Sequence, residues 1–214
     1  LRLESPGGLV HSYGLAASQL ERIRRRNIPL TVCVDRVAAS GGYMMACIAN
    51  KIVAAPFALI GSIGVVAQIP NFHRLLKRNE IDYEVLTAGD YKRTMTMFGE
   101  NTDKGREKFV EELEDTHNLF KEFVSDYRQG LDIETVATGE VWFGRRAIVN
   151  NLIDHIETSD DYLFEASKEC DIYKVTYQVK RSLQDRLEHM GASTLTGLAG
   201  KVWSSLSQSR FWAR

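Results

Sequence analysis

Short β-branched runs alternating with helix-like stretches predict an α/β fold with a mostly parallel sheet. The runs "IPLTVCVD" and "KIVAAP" have the length and residue types of buried strands, and the segments between such runs carry helical spacing or good helix formers. Size and composition bound the answer. The 214 residues, 44% hydrophobic and 26% charged, are enough for one substantial core with an appendage and fit neither a disordered nor a fibrous chain. A net charge of −1 gives no overall attraction for nucleic acid.

In chain order, Leu1 to Glu4 reads as the end of a strand and Ser5-Pro6-Gly7-Gly8 as a turn. Leu9, Leu15, Ala16, Leu20 and Ile23 recur at helical spacing, and Arg22, Arg24, Arg25 and Arg26 close that helix as a solvated C-terminus favoured by the dipole. "IPLTVCVD" is a buried strand, and "GGYMMACIAN" after Ser40 is a helix. "KIVAAP" and "GSIGVVAQI" read as strands, "NFHRLLKRN" as a helix and "DYEVLTA" as another strand. Thr102 to Arg128 is a long amphipathic helix with Phe109, Leu113, Phe120, Phe123, Val124 and Tyr127 near one face, stopped by Gly130. "DIETVATGE" and "GRRAIVNN" read as shorter helices around "VWF", and "LIDHIE" as a strand or edge.

This organisation predicts one domain over residues 1–160, including a helical segment over 102–150, and a C-terminal strand and helix extension over 161–214. In the extension, Ile172 to Val179 alternates like a strand, and Leu183, Leu187, Met190, Leu195, Leu198, Val202, Trp203 and Leu206 form an interrupted amphipathic stretch. Its basic residues outnumber its acids, so subunit contact, local packing and a membrane-surface role all stay open. Ile52 to Phe72 is uncharged over about a bilayer-spanning length, but Pro56, Gly61, Ser62, Gly64, Gln68 and Pro70 break it into two β-like runs. Cys33, Cys47 and Cys170 lack metal-ligand spacing and read as small packing residues rather than a disulfide frame. The chain opens without Met inside a strand-like run, which predicts a fragment whose preceding segment, with any membrane anchor, is absent.

The chemistry concentrates on "DRVAASGGYMMA". A Ser between a strand and a helix stands at the tip of a sheet, and the unpaired N–H groups behind it can receive an oxyanion. Gly41 and Gly42 leave room for a substrate to approach that backbone. The alternative is that Ser40 merely caps the helix. The hydrolase elbow G-x-S-x-G is met only at its second glycine, because position 38 is Ala. The histidines His11, His73, His117, His155 and His189 lie in polar helix-like or edge contexts and read as surface or structural residues. A Ser without His needs another base, and a Lys qualifies only when burial strips its proton, since about one ordinary Lys in a few thousand is neutral at pH 7. Lys92, after a strand and a Gly turn in "EVLTAGDYKRTMTMFG", is the candidate, although Asp90 and Arg93 beside it leave its desolvation open.

Together, "SPGG", "AASGGYMMA", "GSIGV" and "TAGDYKRTMTMFGE" resemble, in order, the motifs of the signal peptide peptidase A family of Ser-Lys proteases. The likeness covers roughly the first hundred residues and extends through "WFGRRAIVNNLID". It implies a Clp-protease-like, crotonase-related fold of stacked β-α units, peptide substrates, and no cofactor or metal. Carried onto matching positions, it implies Ser40 as nucleophile, Lys92 as general base, and Gly41 and Gly7 as oxyanion donors. Ser62 would orient the Lys92 amine. "GSIGVV" would form an extended edge on which the peptide lies as an added strand, with Gly8, Ile63, Gly64 and Val65 as the substrate-binding residues.

The same resemblance implies a homo-oligomer whose active sites are shared between protomers, with Ile81 to Leu86 and the Trp203 segment as contact surfaces. It also implies attachment to the bacterial inner membrane through an N-terminal helix absent from this sequence, with the catalytic body facing the periplasm. Two other classes compete. One is a peptide-binding or assembly scaffold with an incomplete site. The other is a crotonase-like acyl-CoA enzyme, which uses similar glycine-rich turns but offers Lys92 no role.

Overall fold

The computed structural model describes residues 1–177. The chain divides into a compact unit, Leu1–Cys170, and a second that begins at Asp171. Of the second, residues 171–177 carry no helix or strand, and the predicted amphipathic stretch from Leu183 lies outside the described residues. The first unit therefore runs past the expected boundary at 160.

The elements of the first unit are α1 (Val10–Arg24), β1 (Thr31–Val34), β2 (Val37–Ala39), α2 (Gly41–Ala46), β3 (Lys51–Ala54), β4 (Leu59–Gly61), α3 (His73–Arg78), α4 (Asp103–Tyr127), α5 (Ile133–Val136), β5 (Val141–Phe143), α6 (Gly144–Ala147), β6 (His155–Ile156) and α7 (Ser159–Ala166). They build two three-stranded sheets, β1-β3-β6 and β2-β4-β5. Every pair is parallel except β4 with β5. The α/β class with mostly parallel strands is thus as predicted.

β1 and β3 are almost continuously buried, the pattern of parallel strands covered on both faces, and Val32, Val34, Ile52 and Val53 supply the bulk. The chain leaves β1 for a strand in the other sheet after two residues. That abrupt change leaves backbone donors unpaired, and the Glu4 carboxylate collects them, accepting from the N–H groups of Asp35, Arg36 and Val37 at 2.9, 3.1 and 3.0 Å. The N-terminal residues touch both sheets through the parallel bridges Arg2 to Cys33 and Ser5 to Ala38.

On α1 the face against the core is Tyr13, Ala17 and Leu20, with Ala17 fully buried, whereas Leu9 and Leu15 stay exposed. Narrow packing against α2 explains the difference, since small residues at the contact bring the two backbones close. Arg24 departs from the predicted solvated cluster: it donates to the Ile48 carbonyl at 2.8 Å and lies over the Tyr127 ring. Tyr43 is fully buried, and its hydroxyl donates to the Leu152 carbonyl at 2.8 Å. Burial drives the Tyr43 phenol well above its ordinary pKa.

The long helix α4 opens on Thr102, whose side chain accepts from the Gly105 N–H at 3.1 Å. Past its other end, Arg128 clasps Asp154 at 2.9 and 3.0 Å, and Asp154 also accepts from the Ile52 N–H at 2.6 Å. Burial would lower the Arg128 pKa, but the Asp154 hydrogen bonds outweigh it and raise it. Helix α7 joins the unit through Asp35, which accepts from the Ser159 N–H and hydroxyl at 2.7 and 2.5 Å. Cys33 and Cys47 are buried and Cys170 is exposed, all as free thiols.

Two expected strands are shorter or missing. "GSIGVVAQI" is a strand only as far as Gly61, and "DYEVLTA" is none. Among the described residues, the backbone groups of 64–70 and of 82–88 have no backbone hydrogen-bond partner. Both have strand-forming residues without a neighbouring strand. Among the described residues, no helix is long and apolar enough to cross a membrane.

Candidate active site

Ser40 occupies the single position between β2 and α2, with φ 53° and ψ −123°. A residue with a Cβ pays about 1–3 kcal/mol for such a conformation, so the surroundings have to impose it. They do so from both sides. The Ser40 N–H donates to the Gly61 carbonyl at 2.7 Å, and its own carbonyl accepts from the Met44 N–H at 3.0 Å. The side chain makes no capping hydrogen bond to α2. The N-cap alternative is therefore not realised.

The Ser5-Pro6-Gly7-Gly8 turn lies directly on this corner. Gly7 has φ +95°, and a Cβ there would stand 2.7 Å from the Ser40 Cβ and 2.9 Å from the Gly41 nitrogen. Only glycine satisfies both constraints. The Gly7 N–H donates a long 3.3 Å bond to the Ser5 hydroxyl, which also shares a 2.7 Å hydrogen bond with the Tyr13 hydroxyl.

Gly41 and Gly42 have a different reason from the one the sequence suggested. A Cβ on Gly41 would run into the Tyr13 ring, and one on Gly42 into the Ser5 carbonyl. Their bareness lets α1 and the turn pack against α2, rather than serving only the approach of a substrate.

Ser40, Ser62, Gly7, Gly8, Gly64 and Val65 line one cavity of about 750 Å³. Ser62 has φ 51°, and its N–H donates to the Glu140 carbonyl at 2.7 Å. Ile63 does not fit its expected substrate-binding role: its side chain is fully buried, and its carbonyl accepts from the Gly139 N–H at 3.1 Å. His117 departs from the surface or structural reading of the histidines: it lines the cavity, and its Nε2 is buried without a partner among the described residues. Its signal was legible as the polar member of the stripe Leu113, His117, Phe120 and Val124.

Lys92 lies elsewhere. It is exposed on the connection between α3 and α4 and is not among the residues lining the Ser40 cavity. Its backbone N–H donates to the Gly89 carbonyl at 3.2 Å. Thus one chain assembles Ser40, Gly41, Gly7 and Ser62 in one place and leaves Lys92 apart from them. Among the described residues no cluster of His, Cys, Asp and Glu could hold a metal ion.

Residues 22–173 match the profile of peptidase family S49, and residues 1–20 match that of the peptidase family S49 N-terminal region. The chain belongs to peptidase family S49. It is 63% identical over 183 residues to the probable protease SohB of Haemophilus influenzae, covering 86% of this chain and 52% of that protein. It is 57% identical over 186 residues to the probable protease SohB of Buchnera aphidicola, covering 87% and 55%. A more distant relative is the putative signal peptide peptidase SppA of Enterococcus faecium, 28% identical over 174 residues, covering 79% and 50%. The chain spans about half the length of these curated relatives.

Proposed function

We propose that the protein is a serine endopeptidase in which Ser40 and Lys92 form the dyad, and that the complete site assembles between copies of the chain. The observation that carries the proposal is the Ser40 corner. A strained, uncapped serine lies under a glycine turn and beside the first N–H groups of α2, in a chain of a peptidase family.

The Ser40 Oγ attacks a peptide carbonyl while the Lys92 amine, in its neutral form, removes the hydroxyl proton. The oxyanion that forms is received by the Gly41 and Gly7 N–H groups, the latter exchanging its long bond to Ser5. Collapse breaks the C–N bond, and Lys92 returns the proton to the leaving amine. Water, deprotonated by Lys92, then attacks the acyl-Ser40 ester, and the hydroxyl is regenerated. Ser62 holds the amine in line from the cavity wall.

The peptide lies along 62–66, where backbone groups beyond Ile63 are free to pair with an added strand. Val65 and Val66 make that surface apolar, which fits signal-peptide remnants or other apolar peptides. Lys92 reaches Ser40 from a neighbouring protomer, with the exposed segment around Ile81 to Leu86, unpaired from Asp82 on among the described residues, as the contact. By family resemblance the assembly is anchored at the bacterial inner membrane with its catalytic body in the periplasm.

The test is intact-mass analysis after a serine-directed fluorophosphonate, on the full-length assembled protein and its Ser40→Ala and Lys92→Ala variants. One added mass on Ser40 that requires Lys92 is the expected result. Labelling that persists in Lys92→Ala sinks the dyad, and no labelling in a confirmed assembly makes the protein a peptide-binding scaffold.

A further inference from the structure

The connection that carries Lys92 has little regular structure, yet a base must be held within a fraction of an ångström of its target. Hydrogen bonds hold the stretch 96–99, which begins four residues after Lys92. The Asn71 side-chain amide donates to the Thr96 carbonyl at 2.9 Å and to the Gly99 carbonyl at 3.0 Å. Its Oδ1 accepts from the His73 N–H at 3.3 Å. The next residue continues the clasp, as the Phe72 N–H donates to the Met97 carbonyl at 2.7 Å and its ring stacks on Phe98 at 6.0 Å.

Other contacts close the loop from the opposite side. Asn101 accepts from the Thr96 N–H at 2.8 Å and donates to the Thr96 carbonyl at 3.1 Å. Gly105 lacks a Cβ where the Thr94 carbonyl docks against α4. Lys108 and Lys104 lie over the ring of Tyr91, the neighbour of Lys92, at 5.4 and 5.8 Å. Asn71 differs from these in where it comes from. It closes the segment without helix or strand that begins at Ser62, whose residues Ser62, Gly64, Val65 and Val66 line the Ser40 cavity.

We infer that Asn71 is a positioning residue for the reaction: it sets the Lys92 loop from the end of the substrate-binding segment. The inference rests on Lys92 acting as the base. An amide suits the place, because its two N–H groups serve the Gly99 carbonyl and, alongside Asn101, the Thr96 carbonyl, while its oxygen serves the His73 N–H. Aspartate has the same shape and keeps the acceptor, but sets a carboxylate against both carbonyls.

The experiment uses the full-length assembled protein with Asn71→Asp, and Asn71→Ala as the second variant should the first fail to assemble. The readouts are kcat and KM on a fluorogenic apolar peptide, together with the rate of Ser40 labelling by a fluorophosphonate. The expected result is a parallel fall in kcat and labelling rate of ~100-fold, the scale of an ångström misplacement, with KM within about twofold of the parent. An unchanged kcat overturns the inference, and so does a raised KM with kcat kept, which would assign Asn71 to the substrate edge alone. Lys92→Ala run alongside separates the two levels. If it retains activity, the dyad and the inference fall together. If it is inactive while Asn71→Asp is fully active, only the positioning role falls.

Discussion

The Ser40 N–H and the Gly61 carbonyl, 2.7 Å apart, tie the strained corner at the end of β2 to the end of β4. Ser62, the residue after Gly61, is thereby fixed at the cavity wall beside Ser40. Lys92 has no comparable tie to that corner within one chain, and the first prediction follows from this separation.

Mixing Ser40→Ala with Lys92→Ala protomers restores peptide cleavage when the dyad is shared between copies. With equal amounts and random assembly, each site has an intact Ser from one chain and an intact Lys from the next about a quarter of the time. Activity of the co-assembled mixture, measured against the parent, is the check. No recovery in a verified mixed assembly places both residues in the same chain.

Two glycines have opposite fates on substitution. Gly42→Ala forces a Cβ into the Ser5 carbonyl, a backbone atom that cannot swing aside, and costs about 1–3 kcal/mol. Gly14, inside α1, has nothing within 4 Å of its missing Cβ, and Gly14→Ala stabilises by about 0.5–1 kcal/mol through helix propensity. Urea unfolding of both variants reads the two signs.

Ile63→Ala reports whether that residue packs or binds. As a fully buried core side chain its truncation costs about 2–5 kcal/mol of stability. In the fraction that remains folded, KM for peptides stays at the parent value. A KM increase without loss of stability returns Ile63 to the substrate edge.

Asp35 predicts a pH dependence. Burial by itself would raise its pKa, but the Ser159 and Arg2 hydrogen bonds outweigh burial and hold it below the usual carboxylate value. A depressed folded-state pKa stabilises the protein above the unfolded value of about 3.9, and that stabilisation is lost as pH falls through the folded-state value. Asp35→Asn is therefore less stable than the parent by about 2 kcal/mol at pH 7. The gap shrinks toward pH 3. Unfolding free energies of the two proteins at both pH values test it.

How much of this was legible in the sequence depends on where each constraint originates. β1 and β3 announce themselves because a strand buried on both faces is a continuous apolar run. α4 does so through its stripe and through Thr102 and Gly130 at its ends. The segment 82–88 has the residues of a strand, but a strand also needs a neighbour, and composition does not reveal that none lies beside it in the described chain. Leu9 and Leu15 keep helical spacing yet face outward, because small residues decide which side of α1 packs. At the site, the Ser and its glycines mark the corner plainly. That Gly41 and Gly42 answer to Tyr13 and Ser5 is a tertiary fact, invisible in spacing. The Asn71 clasp is hidden for the same reason, since its partners are 25 and 28 residues away.

The distribution of thiols has a practical side. Burial pushes Cys47 up to about 12 and raises Cys33, so neither offers a thiolate near neutral pH. Cys170, exposed at the end of the first compact unit, is left as the reactive one. Among the described residues, maleimide treatment of the folded protein thus reaches a single thiol, without engineering. A donor and acceptor dye placed at that native address would give an optical signal for the proposed association of two copies, against which the proposed peptide cleavage can be timed.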